Sequence, residues 1–398
     1  MKRNLTGGAA YVLIAAVVLG GQAHTQQLIS GKVIYGTDDR IDVYEESSPQ
    51  RLQWAAATCG LVSASELDYD PETDTYQVLT SSFTVFGRQP CDGEPFANQP
   101  TAPNCSGFAA GADIIATAGH CVNANSLAAV RFVFGFQMLD ADNAVTTLRG
   151  DQVYEGAEVL GWRNDGSFDY AIVRLNRAIT APEVIPMPIR REGTIAEGTN
   201  VGVIGHPTGL PLKIAFGPTT TVRSSGPDGY FVANLDTYGG NSGSPVFNAI
   251  TGVVEGVLVR GARDYNVVGT CFESNRIADT ASGEDVSKST SFAEFIPEIT
   301  VEGPHTADID SNGIISLSEV LRVIQLFNAG EYHCDAVKSE DGYLPGAGDA
   351  TCGPHNSDFV EPFFDIELSE LLRLIQFYAS GGYTSCPEGE DGFCPLQR

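Results

Sequence analysis

Basic residues are scarce in this chain: 23 Lys and Arg stand against 50 Asp and Glu in 398 residues, a formal net charge of −27. A protein of that sign repels nucleic acid and anionic membrane, and it favours solubility, cations and basic partners instead. Long apolar runs are equally rare. One lies near the start, where Lys2 and Arg3 precede an apolar stretch ending near Leu19, with the small residues Gly21 and Ala23 after it. It falls short of the roughly 20 residues needed to cross hydrocarbon and has the order of a secretory signal peptide, assigned to residues 1–23. With no second run, membrane insertion is not expected, and an exported, extracellular protein is. No Cys-x-x-Cys occurs among the nine cysteines, which argues against a structural zinc site. Export makes disulfides their expected use, and the odd number leaves one thiol over.

Helical periodicity is missing from Val33 to about Phe295. Short β-rich segments such as YQVLTSSFTVFG, AVRFVFGFQML, NVGVIGH and GVVEGVLVRG, divided by Gly, Pro, Asn and Asp, predict an antiparallel barrel or sandwich over residues 24–300. Near Pro304 the pattern changes. ISLSEVLRVIQLFNAGEYHC (Ile315 to Cys334) and IELSELLRLIQFYASGGYTSC (Ile366 to Cys386) form an internal repeat. Leu317, Val320, Leu321, Ile324 and Phe327 fall at helical spacing, as do Leu368, Leu371, Leu372, Ile375 and Tyr378, and predict two amphipathic helices packed face to face. From residue 301 onward 17 acidic residues meet 4 basic ones, so 301–398 reads as a separate small domain. The polar stretch DTASGEDVSKSTS (Asp279 to Ser291) reads as a loop or tether before it.

Three further stretches carry chemistry. TYGGNSGSPVFN (Thr237 to Asn248) sets Ser242 among glycines, CSGFAAGADIIATAGHCV has His120 closing an apolar run, and GSFDYAIVRL has Asp169 opening one. A serine hydroxyl is a poor nucleophile at neutral pH, so it needs a base to take its proton and a carboxylate to orient that base. The order His, Asp, Ser, with TAGHC, DYAIVRL and GNSGSPV at the three places, resembles the chymotrypsin/trypsin-like serine proteases. GGNSGSPVF and the early VIYGTDDRIDVY (Val33 to Tyr44) are most similar to the bacterial glutamyl-endopeptidase, or V8-like, branch.

The resemblance implies a mainly β, two-barrel antiparallel fold and an endopeptidase acting on proteins or peptides through an acyl-enzyme, with no catalytic cofactor. It implies His120 as base, Asp169 as its partner, Ser242 as nucleophile, and the N–H groups of Gly240 and Ser242 as oxyanion donors. It also implies a Cys105–Cys121 disulfide pinning the histidine loop. Asn241 stands where the animal enzymes carry an aspartate that pairs with a new N-terminus, so that route of activation is not expected. Leu258 replaces the histidine with which the glutamyl branch binds acidic side chains. Asp236, six residues before Ser242, and Gly261 are the implied substrate-binding positions, with cleavage after Arg or Lys as the expectation. His24, His206, His305, His333 and His355 lack comparable contexts and read as surface or loop residues. Cys59, Cys91 and Cys271 have no assigned partners.

In the acidic tail, DIDSNGIISLSE (Asp308 to Glu319) fits the calcium loop D-x-[DN]-x-[DN]-G-x5-E. Asp308, Asp310, Asn312, Ile314 through its carbonyl, Ser316 and Glu319 are the candidate Ca2+ ligands. Counted back from the second helix, the same register places Phe359, Glu361 and Phe363 at ligand positions, so that copy is not expected to bind the ion. One calcium loop and helix, repeated in degenerate form, is similar to EF-hand-type dockerin modules, which attach exported enzymes to cell-surface or scaffold proteins. Proximity suggests Cys334–Cys352 and Cys386–Cys394 disulfides. A reading of another class is a non-catalytic adhesion or scaffold protein on a protease fold; the intact triad argues against it.

Overall fold

The computed structural model describes Met1 and residues 33–226, 229–297, 305–335, 339–360, 362–385 and 393–396. The expected signal peptide beyond Met1, the 300/301 boundary, His24, Glu361 and Cys386 lie outside these.

Six antiparallel strands close a barrel in the order Ile114–Thr117, Asp169–Leu175, Val153–Asn164, Val130–Phe134, Thr58–Ser63, Cys105–Gly111 and back to the first. Aromatic and β-branched side chains fill its interior: Phe108, Ile115, Phe132 and Ile172 are fully buried. A second sheet has eight strands in the order Val222–Ser224, Tyr230–Ala233, Glu284–Lys288, Val254–Arg260, Pro245–Asn248, Val201–Gly205, Lys213–Ala215, Arg40–Asp42. It is an open sheet, not the second closed barrel expected, but it curls until Thr221 bridges Asn200. Its core is Val201, Val203, Phe231, Val246, Leu258 and Val286.

Helix α1 (Pro49–Ala56) was not legible as a periodic run; Ser48 accepts from Arg51 N at its start, and Trp54 stacks on Phe247 of the second sheet at 4.8 Å. The stretch Asp279 to Ser291 is not a tether. Within it Glu284–Lys288 is an inner strand of the second sheet, paired on both sides, with Glu284, Val286 and Ser287 buried. Its polar side chains find polar partners in the interior, which a hydrophobic pattern does not register.

In the tail, α2 (Leu317–Ala329) and α3 (Leu368–Ser380) pack on a common core with Tyr332, Tyr343, Tyr383 and Phe393. The buried apolar helix positions are Val320, Val323 and Leu326, and Leu371, Leu374 and Phe377. Leu317, Leu321, Leu368, Leu372 and Tyr378, expected inside, are exposed. Disulfides join Cys91 to Cys271, Cys105 to Cys121 and Cys334 to Cys352, and Cys59 is the buried cysteine left over among the described residues.

Candidate active site

His120 follows the barrel strand Ile114–Thr117, and Asp169 begins the neighbouring strand, so the antiparallel pairing of these two strands brings them together. His120 Nδ1 lies 2.8 Å from Asp169 Oδ2, and the His120 backbone N–H donates to Asp169 Oδ1 at 3.1 Å. Asp169 is buried while the imidazole is half-exposed, as an acid that orients and a base that works on solvent-side atoms require. Asp169 N–H in turn donates to Ser287 Oγ of the second sheet, tying the two sheets at this point.

Ser242 stands in the turn before the strand Pro245–Asn248. Its carbonyl accepts from Ser106 N–H at 2.8 Å and lies 3.6 Å from Cys121 Sγ, next in sequence to His120. The Cys105–Cys121 disulfide therefore binds the base-bearing loop to the strand on which the serine segment is docked. Gly240 and Gly243 have φ of +91° and +87°, where a side chain is strained, and a Cβ on Gly243 would stand 2.1 Å from Ser106 O.

Two peptide planes in this turn have fixed orientations. Gly239 C=O accepts from Thr208 N–H, and Asn241 C=O accepts from Ser244 N–H at 2.9 Å. In a trans peptide the N–H points away from the C=O, so Gly240 N–H and Ser242 N–H are turned from those partners. Ser106 Oγ–H donates to Gly240 C=O at 2.9 Å and accepts from His206 N–H at 2.9 Å. Ser106, fully buried, thus ties the serine turn to the His206 loop, and Thr208 and Asp264 join it there; all three escaped the sequence reading. The signal for Ser106 was its place directly after Cys105.

Residues 105–257 match the family model of the trypsin-like peptidase domain. Among solved structures the chain is similar to the Vibrio cholerae VesB protease, with 14% identity, 67% of each chain covered and a TM-score of 0.37. It is also similar to the scabies mite inactivated protease paralogue S-I1, with 16% identity, 66% of this chain and 96% of that one covered, and a TM-score of 0.38. No curated protein matches.

Around this trypsin-like region the expected specificity residues sit differently. Asp236 is buried, and both its oxygens accept backbone N–H groups, from Tyr35 at 2.7 Å and Asp39 at 2.8 Å. Burial pushes its carboxyl up to about 7. It is spent on anchoring the chain's early segment and is not an open counter-charge for an arriving Arg or Lys. Glu284, fully buried, takes a hydrogen bond from Tyr35 Oη and packs on the Cα of Gly261, in the space a Cβ would fill. A cleft of about 620 Å³ opens beside Gly239 and Gly240, walled by Phe86, Pro103, Asn104 and Tyr265. His206 is not a surface residue: it is buried, its Nδ1 meets Leu210 O at 3.0 Å, and burial lowers its pKa to about 4.

In the tail, carboxylate oxygens of Asp308, Asp310 and Glu319 lie within 4.8 Å of one another. Burial first, then its hydrogen-bonded neighbour Asp308, raises the Asp310 carboxyl above its ordinary range. Asn312 Nδ2 reaches Asp310 Oδ2, and Glu319 spans Ile309 N–H and Ser316 N–H. An all-oxygen set of this kind fits a hard divalent cation. The second copy starts one residue earlier than the counted register: Asp358 matches Asp308, since Phe364 N–H bonds it as Gly313 N–H bonds Asp308. Glu370 accepts Phe359 N–H as Glu319 accepts Ile309 N–H. Val360 then replaces Asp310, and Phe363, directly before Phe364, replaces Asn312, so two ligands are lost. His305 and His355, expected at the surface, are fully buried between the repeats, their rings 5.9 Å apart.

Proposed function

We propose that this chain is an exported serine endopeptidase acting through Ser242, His120 and Asp169. The observation that carries the reading is the double hydrogen bond of His120 to Asp169, through Nδ1 and through the backbone N–H, beside the docked carbonyl of Ser242. With Nδ1–H donated to Asp169, Nε2 is the lone-pair nitrogen that takes the Ser242 hydroxyl proton. Ser242 Oγ bonds to the scissile carbonyl carbon, and the oxyanion is received by Gly240 and Ser242 N–H. The imidazolium returns its proton to the leaving amine, the acyl-enzyme forms, and water deacylates it by the same route. The trypsin-like peptidase match supports a peptidase, and three disulfides accord with an oxidising, extracellular location.

We read the tail as a calcium module in which Asp308, Asp310, Asn312, Ile314, Ser316 and Glu319 hold the ion, and as the part that docks the enzyme to a partner protein. When bound, the cation neutralises the crowded carboxylates. What speaks for docking is the repeated exposed pair, Leu317 with Leu321 and Leu368 with Leu372.

The test of the peptidase reading is hydrolysis of a fluorogenic peptide library varied before the scissile bond, together with labelling by a fluorophosphonate. Both are expected in the parent and absent in Ser242→Ala. Equal signals in the two proteins, or none in the parent, would refute the reading and favour the adhesion protein.

A further inference from the structure

The two glycines that precede Asn241 are held from outside the triad. Gly239 N–H donates to Asp264 Oδ2 at 3.0 Å, and Gly239 C=O accepts from Thr208 N–H. Thr208 has a positive φ of 52° and meets the Tyr265 hydroxyl through its own at 2.6 Å. Asp264 and Tyr265 are consecutive and begin the hairpin Tyr265–Val268/Cys271–Ser274, whose far end is tied by the Cys91–Cys271 disulfide and by pairing of Cys271 with Gln89. One stapled hairpin therefore grips Gly239 twice: directly by the Asp264 carboxylate, and through Tyr265 and Thr208 at the carbonyl.

The grip matters because of what Gly-Gly permits. Neither residue has a side chain to bias its dihedrals, so the peptide plane between them turns over at little cost. A turned plane would present Gly239 C=O where Gly240 N–H stood, replacing a donor by an acceptor at the developing oxyanion. Gly239 N–H lies in the preceding Tyr238–Gly239 plane, so Asp264 fixes the residue about which the next plane would turn, and a hydrogen bond to a charged carboxylate is about twice as strong as one between neutral groups. Asn241 carries no charge, so it offers no ion pair to hold the turn, and the hold comes from elsewhere.

We propose that Asp264 is a positioning residue for the oxyanion loop, acting through Gly239 to keep Gly240 N–H aimed at the reacting carbonyl oxygen. The assignment rests on the peptidase reading above. It makes the Tyr265–Ser274 hairpin part of the catalytic apparatus although it contributes no group to the triad.

The experiment uses the full chain, the fluorogenic peptide it cleaves fastest, and a peptide boronate of the same sequence as a tetrahedral mimic. Asp264→Ala is expected to lower kcat about 30-fold, leave KM near the parent value and weaken the boronate by a similar factor. Asp264→Asn keeps an acceptor for Gly239 N–H and is expected to recover most of that loss. Should Asp264→Ala not fold, Tyr265→Phe, which deletes only the hydroxyl that holds Thr208, is expected to show the same pattern at about 5-fold. A kcat for these variants within about twofold of the parent, a loss carried by KM alone, or an Asn variant as poor as the Ala variant would overturn the assignment. A parent that neither cleaves peptide nor takes up fluorophosphonate refutes the peptidase reading and this assignment with it. An active, labelled parent with an indifferent Asp264→Ala variant refutes this assignment alone.

Discussion

His206 and Asp236 predict opposite responses of stability to acid, and their sizes are close enough to cancel. His206 has a folded pKa of about 4 because its ring is buried. Unfolded, it titrates near 6.5, so below that pH the unfolded chain binds more protons, and the stability His206 contributes is lost as pH falls from about 6.5 toward 4. Asp236 is the reverse case. Its folded pKa of about 7 lies above the unfolded value near 3.8, so it is the folded state that binds the extra proton, and stability is gained as pH falls from about 7 toward 3.8. Between pH 7 and pH 5 the first effect costs about 2 kcal/mol and the second contributes about 2 kcal/mol, from the linkage relation applied to those pairs of values. From these two groups together the parent should therefore change little over this range. His206→Gln should become more stable at pH 5 than at pH 7 by about 2 kcal/mol, and Asp236→Asn less stable by a similar amount. Urea unfolding followed by tryptophan fluorescence reads the β-rich part of the chain, where its two tryptophans, Trp54 and Trp162, both lie. If either variant kept the parent's pH slope, the burial argument for that residue would be wrong.

The remaining expectations concern catalysis and the tail. Asp169→Asn should lower kcat about 10⁴-fold with the fold intact, read from peptide hydrolysis and fluorescence together. Gly240→Ala places a Cβ 2.4 Å from His206 O at a φ of +91°, and should cost a factor of about 100 or more in kcat. Replacing Cys91 and Cys271 by serine opens a loop of 180 residues and should lower stability to urea by about 5 kcal/mol on the chain-entropy account. Calorimetric titration of the full chain with Ca2+ should show one site, and Asp308→Asn should abolish it; heat that persists in the variant would place the ion elsewhere.

The pairing of His120 with Asp169 was legible because each of its signals is local. A histidine closing one strand, an aspartate opening its neighbour and a serine in a glycine turn are all fixed by a few adjacent residues. What was not legible depends on distant chain. Asp236 was read as a waiting counter-charge from its place six residues before Ser242; its two donors, Tyr35 and Asp39, come from about 200 residues upstream. The strand Glu284–Lys288 looked like a tether because its inward groups are polar, and the partner of Glu284 is Tyr35 Oη, 249 residues away. In the tail, apolar spacing located both helices but not their faces. Leu317 and Leu321 satisfy the helical period as well as Val320 and Val323, and only the position of the second repeat decides which pair is covered. The register of the second loop slipped for a similar reason. Asp358 to Glu370 spans one residue more than Asp308 to Glu319, so counting back from the helix lands one place late.

The serine turn shows why a motif can name candidate residues and stay silent about their support. Its glycines are dictated by close approach: Gly243 lies against Ser106 O and Gly240 against His206 O. Those same glycines remove the side chains that would otherwise fix the turn, so its shape must be imposed from outside. It is imposed by Ser106 on Gly240 C=O and Ser242 C=O, by Thr208 on Gly239 C=O and by Asp264 on Gly239 N–H. Ser106 belongs to the first barrel, Thr208 to the loop after the strand Val201–Gly205, and Asp264 to the disulfide-stapled hairpin. A turn held from three separate elements forms only when both sheets are in place, and its geometry therefore reports on the whole β domain more than on the nine residues around the serine.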